Sequence, residues 1–178
     1  MNGSENETGR KREADPRPWR PWRLGVYRRM TPNVELAPDA HENGLATMLA
    51  DLVRQNLDAK PHKKADFVAL RGQVAIVADD VDVALTLSFD RGKLTIHDGI
   101  VGIPDVTIRG PSEAIMALSN LPLATPLGLP IPNPRDREAV LAVGTVMRAV
   151  RQGRLRVYGM AFHPVLLVKL TRVMSIHG

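Results

Sequence analysis

Between Gly72 and Gly110 apolar side chains recur at every second position. Among regular structures only an extended strand turns that period into one buried face. Val74, Ile76 and Ala78 begin the run, and Asp79-Asp80 breaks it. Val83, Leu85, Leu87 and Phe89 then fall on one side, with Ala84, Thr86 and Ser88 on the other. Asp90-Arg91-Gly92 reads as a short hairpin loop, with glycine where a positive φ is wanted. Leu94 and Ile96 continue the apolar side, opposite Thr95 and His97. After a loop holding Gly99 and Gly102, Pro104 introduces a fourth strand with Val106 and Ile108 inward. A mostly antiparallel sheet with one apolar face is expected, and that face needs a cover.

The flanking segments supply it. Leu45, Met48, Leu49, Leu52, Val53 and Leu57 follow a helical stripe that begins near Gly44 and ends at Lys60-Pro61. The segment KPHKKADF then reads as a lead into the strands. Ser112 is placed to cap a short helix carrying Ile115, Met116 and Leu118. A longer helix is expected from about Arg135 to Gln152, with Val140, Val143, Met147 and Val150 on one face and Gly153 as its stop. Arg154 to Tyr158 alternates as a fifth strand. His163-Pro164 starts a last helix, whose stripe is Leu166, Leu167, Leu170, Val173 and Met174. The predicted class is α+β: a five-stranded, mostly antiparallel sheet with helices packed on one face.

Composition narrows the chemistry. Hydrophobic residues are 44% of the chain and aromatic ones only 4%, so the core must be aliphatic. There is no cysteine, which removes disulfides, thiolate metal sites and thiol nucleophiles. His41, His62, His97, His163 and His177 show no metal-ligand spacing, and Asp79, Asp80 and Asp82 lack the glycine and distal Glu of a calcium loop. The serines have no nucleophile-elbow context, and Gly99-x-x-Gly102 is not followed by the residues of a phosphate loop. No catalytic residue, metal or cofactor is expected. No stretch approaches the length of a membrane span, and the cytoplasm is the expected compartment, with peripheral membrane contact.

The net charge of +5 is uneven: residues 1–30 hold eight Lys and Arg against four acids. Residues 1–43 read as a disordered basic and aromatic arm with its linker (31–43), and 44–178 as the domain. Within the arm, Arg17, Trp19, Arg20, Trp22, Arg23, Tyr27, Arg28 and Arg29 interleave cations with rings, a mixture suited to an anionic membrane interface. Nucleic acid is the rival polyanion, and a specific nucleic-acid partner is not expected.

Residues Gly72–Val77, the hairpin SFDRGKLTIHDG (88–99), PDVTIRGPSEAIMAL (104–118) and QGRLRVYGMAFHPVLLVKL (152–170) together resemble the sterol-carrier-protein-2 family, in its bacterial single-domain form. The resemblance spans about residues 44–177. It implies an apolar tunnel between sheet and helices that holds a sterol, fatty acyl chain, acyl-CoA or prenyl-quinone lipid. It also implies non-catalytic transfer or presentation of that lipid, or an accessory role among enzymes of lipid or ubiquinone biosynthesis. The lining expected on this basis is Leu85, Leu87, Phe89, Leu94 and Ile96 on the sheet, with Met147, Leu166, Leu170 and Met174 on helices. Leu121, Leu123, Leu127, Leu129 and Ile131 complete it, from the charge-free stretch 121–132, which carries four prolines and makes a poor packing segment but a reasonable tunnel wall.

Overall fold

The computed structural model describes residues 31–119, 121 and 137–175. Its strands are β1 (Asn33–Leu36), β2 (Arg71–Ala78), β3 (Val83–Asp90), β4 (Lys93–Asp98), β5 (Val106–Gly110) and β6 (Arg156–Tyr158). They form one sheet in the order β1-β4-β3-β2-β5-β6. The class is α+β as expected, but the sheet differs from the sequence reading in two respects. It has six strands, not five, and it is mixed: β2-β3, β3-β4 and β5-β6 are antiparallel, while β1-β4 and β2-β5 are parallel.

Both differences have local causes. β1 lies in the stretch read as a linker, and its four residues carry only two inward apolar side chains, Val34 and Leu36, too few to register as a period. The β4–β5 connection does not turn back beside β4. Residues 99–105 instead cross the outer face of the sheet and deliver β5 alongside β2. Thr86 fixes that crossing: its hydroxyl donates to the Gly99 carbonyl (2.8 Å) and accepts from the Val101 N–H (2.9 Å). Further along, Asp105 accepts from the Gln73 N–H (2.8 Å), and its own N–H donates to the Gln73 carbonyl (2.9 Å). The expected hairpin loop is present, with Gly92 at φ 91°.

Register gathers the inner face. Val34 lies beside Leu94, Leu94 beside Phe89, Leu87 between Ile96 and Val74, and Ile76 between Leu85 and Ile108, with Val157 at the far edge. Five helices appear among the described residues: α1 (Gly44–Ala59), α2 (Lys63–Ala69), α3 (Ser112–Ser119), α4 (Arg137–Arg151) and α5 (Pro164–Met174). The Asn43 side chain caps α1, accepting from the Leu45 and Ala46 N–H groups. α2 occupies the KPHKKADF segment, where only a lead into the strands was expected. Seven residues are too few to display a helical period.

In α4 the expected face is turned outward: Met147 is 61% exposed and Val140 and Val150 are exposed too, while Val146 and Ala149 are buried. The apolar residues of this helix span a wider arc than the side that packs, so spacing alone does not select which part of the arc is buried. α3 is capped from outside its own segment. The Asp80 carboxylate accepts from the Ser112 N–H (2.7 Å) and hydroxyl (2.6 Å), and these bonds hold its pKa below the usual carboxylate value.

Candidate functional site

The helices cover the two halves of the inner face unequally. Over β1, β4 and β3, α1 contributes Leu49, Val53 and Leu57, all buried, with Ala46 and Ala50 permitting close approach. Phe67 of α2 meets Phe89 edge to face, with ring centroids 6.2 Å apart at 79°. This half is solid. Over β2, β5 and β6 the cover is α3 and α5, and between them lies a cavity of about 180 Å³.

Its floor is Ile76, Ile108 and Val157 from the sheet. Ile115, Leu118 and Ser119 of α3 form one wall, Leu167, Leu170, Thr171 and Met174 of α5 the other, and Leu121 closes one end. A mostly aliphatic hollow of this size is comparable in volume to engineered cavities that take up benzene or xenon. Left empty, 180 Å³ would cost about 4 kcal/mol at about 24 cal/mol per Å³.

Two hydroxyls interrupt the hydrocarbon lining. The Thr171 hydroxyl donates to the Leu167 carbonyl (2.6 Å) and is satisfied within its own helix. Ser119 is only 1% exposed, and its Oγ has no hydrogen-bond partner. An orphaned buried hydroxyl costs about 1–3 kcal/mol. Ser119 shares a helical face with Ile115, at the i, i+4 position, so the polar atom stands on the apolar stripe itself.

The α5 wall is held at its end by buried polar groups. Asn56 donates to the carbonyls of Val173 (3.0 Å) and Met174 (2.9 Å), and the Lys63 ammonium donates to the Ser175 carbonyl. Ser175 Oγ in turn donates to the Leu121 carbonyl (2.6 Å), which ties the closing residue of the cavity to α5. Lys63 is 2% exposed. Burial, with the nearby Lys60 charge second, lowers its pKa from 10.5 to about 8.

Of the lining expected from sequence, the structure brings Leu121, Leu170 and Met174 to the cavity. Leu85, Leu87, Phe89, Leu94 and Ile96 are buried, but they do not border it; apart from Leu85, which flanks Ile76, they pack in the solid half. Leu166 is buried beside Gly72, and Met147 faces outward from α4. Leu123, Leu127, Leu129 and Ile131 lie outside the described residues, as do Arg17, Trp19, Arg20, Trp22, Arg23, Tyr27, Arg28 and Arg29 of the arm. Sequence reasoning missed the floor residues, the α3 wall of Ile115, Leu118 and Ser119, and Leu167 and Thr171 of α5 as lining. Ser119 was legible in one respect, a serine on the apolar stripe of a short helix.

Among the described residues no three His, Asp or Glu side chains gather as a metal site. No helix among them is long and apolar enough to cross a membrane.

Among solved structures, the chain is similar to one described as a UbiJ-SCP2 ubiquinone synthesis protein, with a TM-score of 0.49 and 14% identity, covering 75% of this chain and 94% of the other. No protein-family model matches the chain, and no curated protein does.

Proposed function

We propose that the protein holds an apolar segment of a lipid-like molecule in the cavity between α3, α5 and the β2-β5-β6 half of the sheet, and carries or presents that molecule without catalysing a reaction. The observation that carries this reading is the hollow itself, an aliphatic space beside a solid half built by the same sheet. The orphaned Ser119 hydroxyl supports a ligand with a hydrocarbon body and one hydrogen-bonding oxygen, such as a hydroxyl, carbonyl or acid group. Its affinity would come mainly from apolar transfer, roughly 0.8 kcal/mol per buried methylene. Because a bilayer offers the same transfer, exchange between membrane and protein is nearly balanced and needs no chemical step. Leu121, Leu170 and Met174 are the proposed binding residues shared with the sequence reading, joined by Ile108, Leu118 and Ser119.

Native mass spectrometry of the purified full-length chain, followed by solvent extraction, tests the reading. A co-purified lipid is expected, and Leu118→Trp should remove it. A bare mass, with no sterol, fatty acid or quinone raising the melting temperature, would sink the proposal. Paired probes sharpen it: Ser119→Ala should weaken binding of 1-naphthol about five- to tenfold, the worth of one hydrogen bond, and leave naphthalene binding unchanged. Delivery to a biosynthetic enzyme rather than to a membrane would appear as a stable protein partner in a pull-down that requires the loaded form.

A further inference from the structure

Two loops at one end of the sheet carry apolar side chains that the fold leaves in solvent. On the crossing loop Ile103 is 91% exposed and Ile100 is also exposed; on the β6–α5 loop Phe162 is 86% exposed, with Met160 beside it and Val165 in the first turn of α5. The loops abut. Gly159, at φ 80°, packs against the Asp105 carbonyl so closely that a Cβ would not fit. The N–H groups of Phe162 (3.1 Å) and His163 (3.0 Å) close the turn onto the Gly159 carbonyl. Large apolar side chains this exposed on two abutting loops mark a candidate interaction surface.

Cations stand back from these tips along β6: Arg156 pairs with Arg109, and Arg154 lies beside Gly110 at the far end of β5. Edge strand β6 leads into the second loop, and it carries exposed Arg156 and Tyr158, with Arg154 just before it. Arg154 uses its Nε on Gln152 Oε1 (2.9 Å) and Arg156 its Nε on the Gly153 carbonyl (3.0 Å), which leaves the outer guanidinium donors of both for a partner. The nearby acids are engaged: Asp79 holds Arg109 at 2.8 Å, Asp80, which borders the same hollow as Arg154 and Arg156, accepts from Ser112, and Asp105 serves Gln73 and lies 3.7 Å from His163 Nε2. Apolar tips backed by arginines with free donors complement a bilayer, which offers hydrocarbon below a layer of phosphates. Tyr158, between the two, has the amphipathic ring favoured at headgroup depth.

We infer that this end of the folded body docks on an anionic lipid surface, with Ile103 and Phe162 inserted below the headgroups and Arg156, set back along β6, reaching lipid phosphate. The inference goes beyond the carrier reading, since docking needs no ligand in the cavity. The test is sedimentation of the full-length chain with vesicles of equal phosphatidylglycerol and phosphatidylcholine, and with phosphatidylcholine alone. Ile103→Asp with Phe162→Asp should weaken binding to the mixed vesicles about tenfold or more. Ile103→Ser with Phe162→Ser serves as a gentler pair should the first fold poorly. Arg156→Gln should weaken binding to the mixed vesicles and leave binding to phosphatidylcholine unchanged. Parent-like binding by the loop variants, or no binding by the parent, would overturn the inference. So would a parent that self-associates through these loops and separates into monomers when they are substituted. Vesicle binding without a co-purified lipid would sink the carrier reading alone, and the converse would sink only the docking.

Discussion

Beneath α1 and α2 the inner face of the sheet meets a sixteen-residue amphipathic helix and the Phe67–Phe89 pair; beneath α3 and α5 the same face meets helices of eight and eleven residues whose lining is aliphatic apart from Ser119 and Thr171. The chain has three phenylalanines. Two are in the solid half and the third, Phe162, is in solvent. No aromatic ring lines the cavity among the described residues. Protein interiors pack as densely as organic crystals when large and small side chains interdigitate. A half assembled from Ile, Leu, Val and Met over a short helix lacks the volume to do so. The hollow is thus a consequence of which residues each half received, and the sheet beneath is continuous.

Substitutions can break this comparison or sharpen it. The largest effect is expected from truncation in the solid half. Leu87→Ala should cost about 4 kcal/mol in urea denaturation, against about 2 kcal/mol for Ile115→Ala, whose side chain already lacks neighbours on the cavity side. Equal losses would mean that both halves pack alike.

The clamp on α5 comes next. The native Lys63 pKa of about 8 lies below its unfolded value of 10.5, so between these values the unfolded chain binds more protons. Stability therefore rises with pH from about 8 to 10.5, by up to about 3 kcal/mol relative to Lys63→Met measured in parallel. A flat difference across that window would show that the ammonium is not buried.

Overpacking reverses the order of the halves. Ala46→Leu, under α1, should cost about 1–3 kcal/mol, whereas Leu118→Phe should change stability by less than about 1 kcal/mol because the ring enters the hollow. The smallest effect is expected at Ser119. Ser119→Ala should stabilise the ligand-free protein by about 1 kcal/mol, read as a rise in melting temperature, because it removes a buried hydroxyl without a partner.

Much of the architecture was legible in the sequence. Strands β2 to β5 followed from alternation, the Asp90-Arg91-Gly92 loop from its glycine, and α1 and α5 from their stripes and flanking signals at Lys60-Pro61 and His163-Pro164. What escaped was set by tertiary contact. The parallel placement of β5 depends on Thr86 and Gln73 seating the crossing loop, an interaction with no local signature. The buried side of α4 depends on its neighbours, since its apolar arc is wider than the side that packs. The site was harder to read for the same reason. Leu85 and Ile76 are adjacent in register and equally buried, yet only Ile76 borders the cavity, because the helix above decides whether an inward residue meets a side chain or a space. Alternation identifies inward residues and is blind to what covers them.

The most direct measurement is a crystal structure of the protein under xenon pressure. Xenon density is expected among Ile108, Ile115, Leu118 and Leu170, with none under α1. No xenon between α3 and α5, or equal occupancy under both helix pairs, would contradict the account.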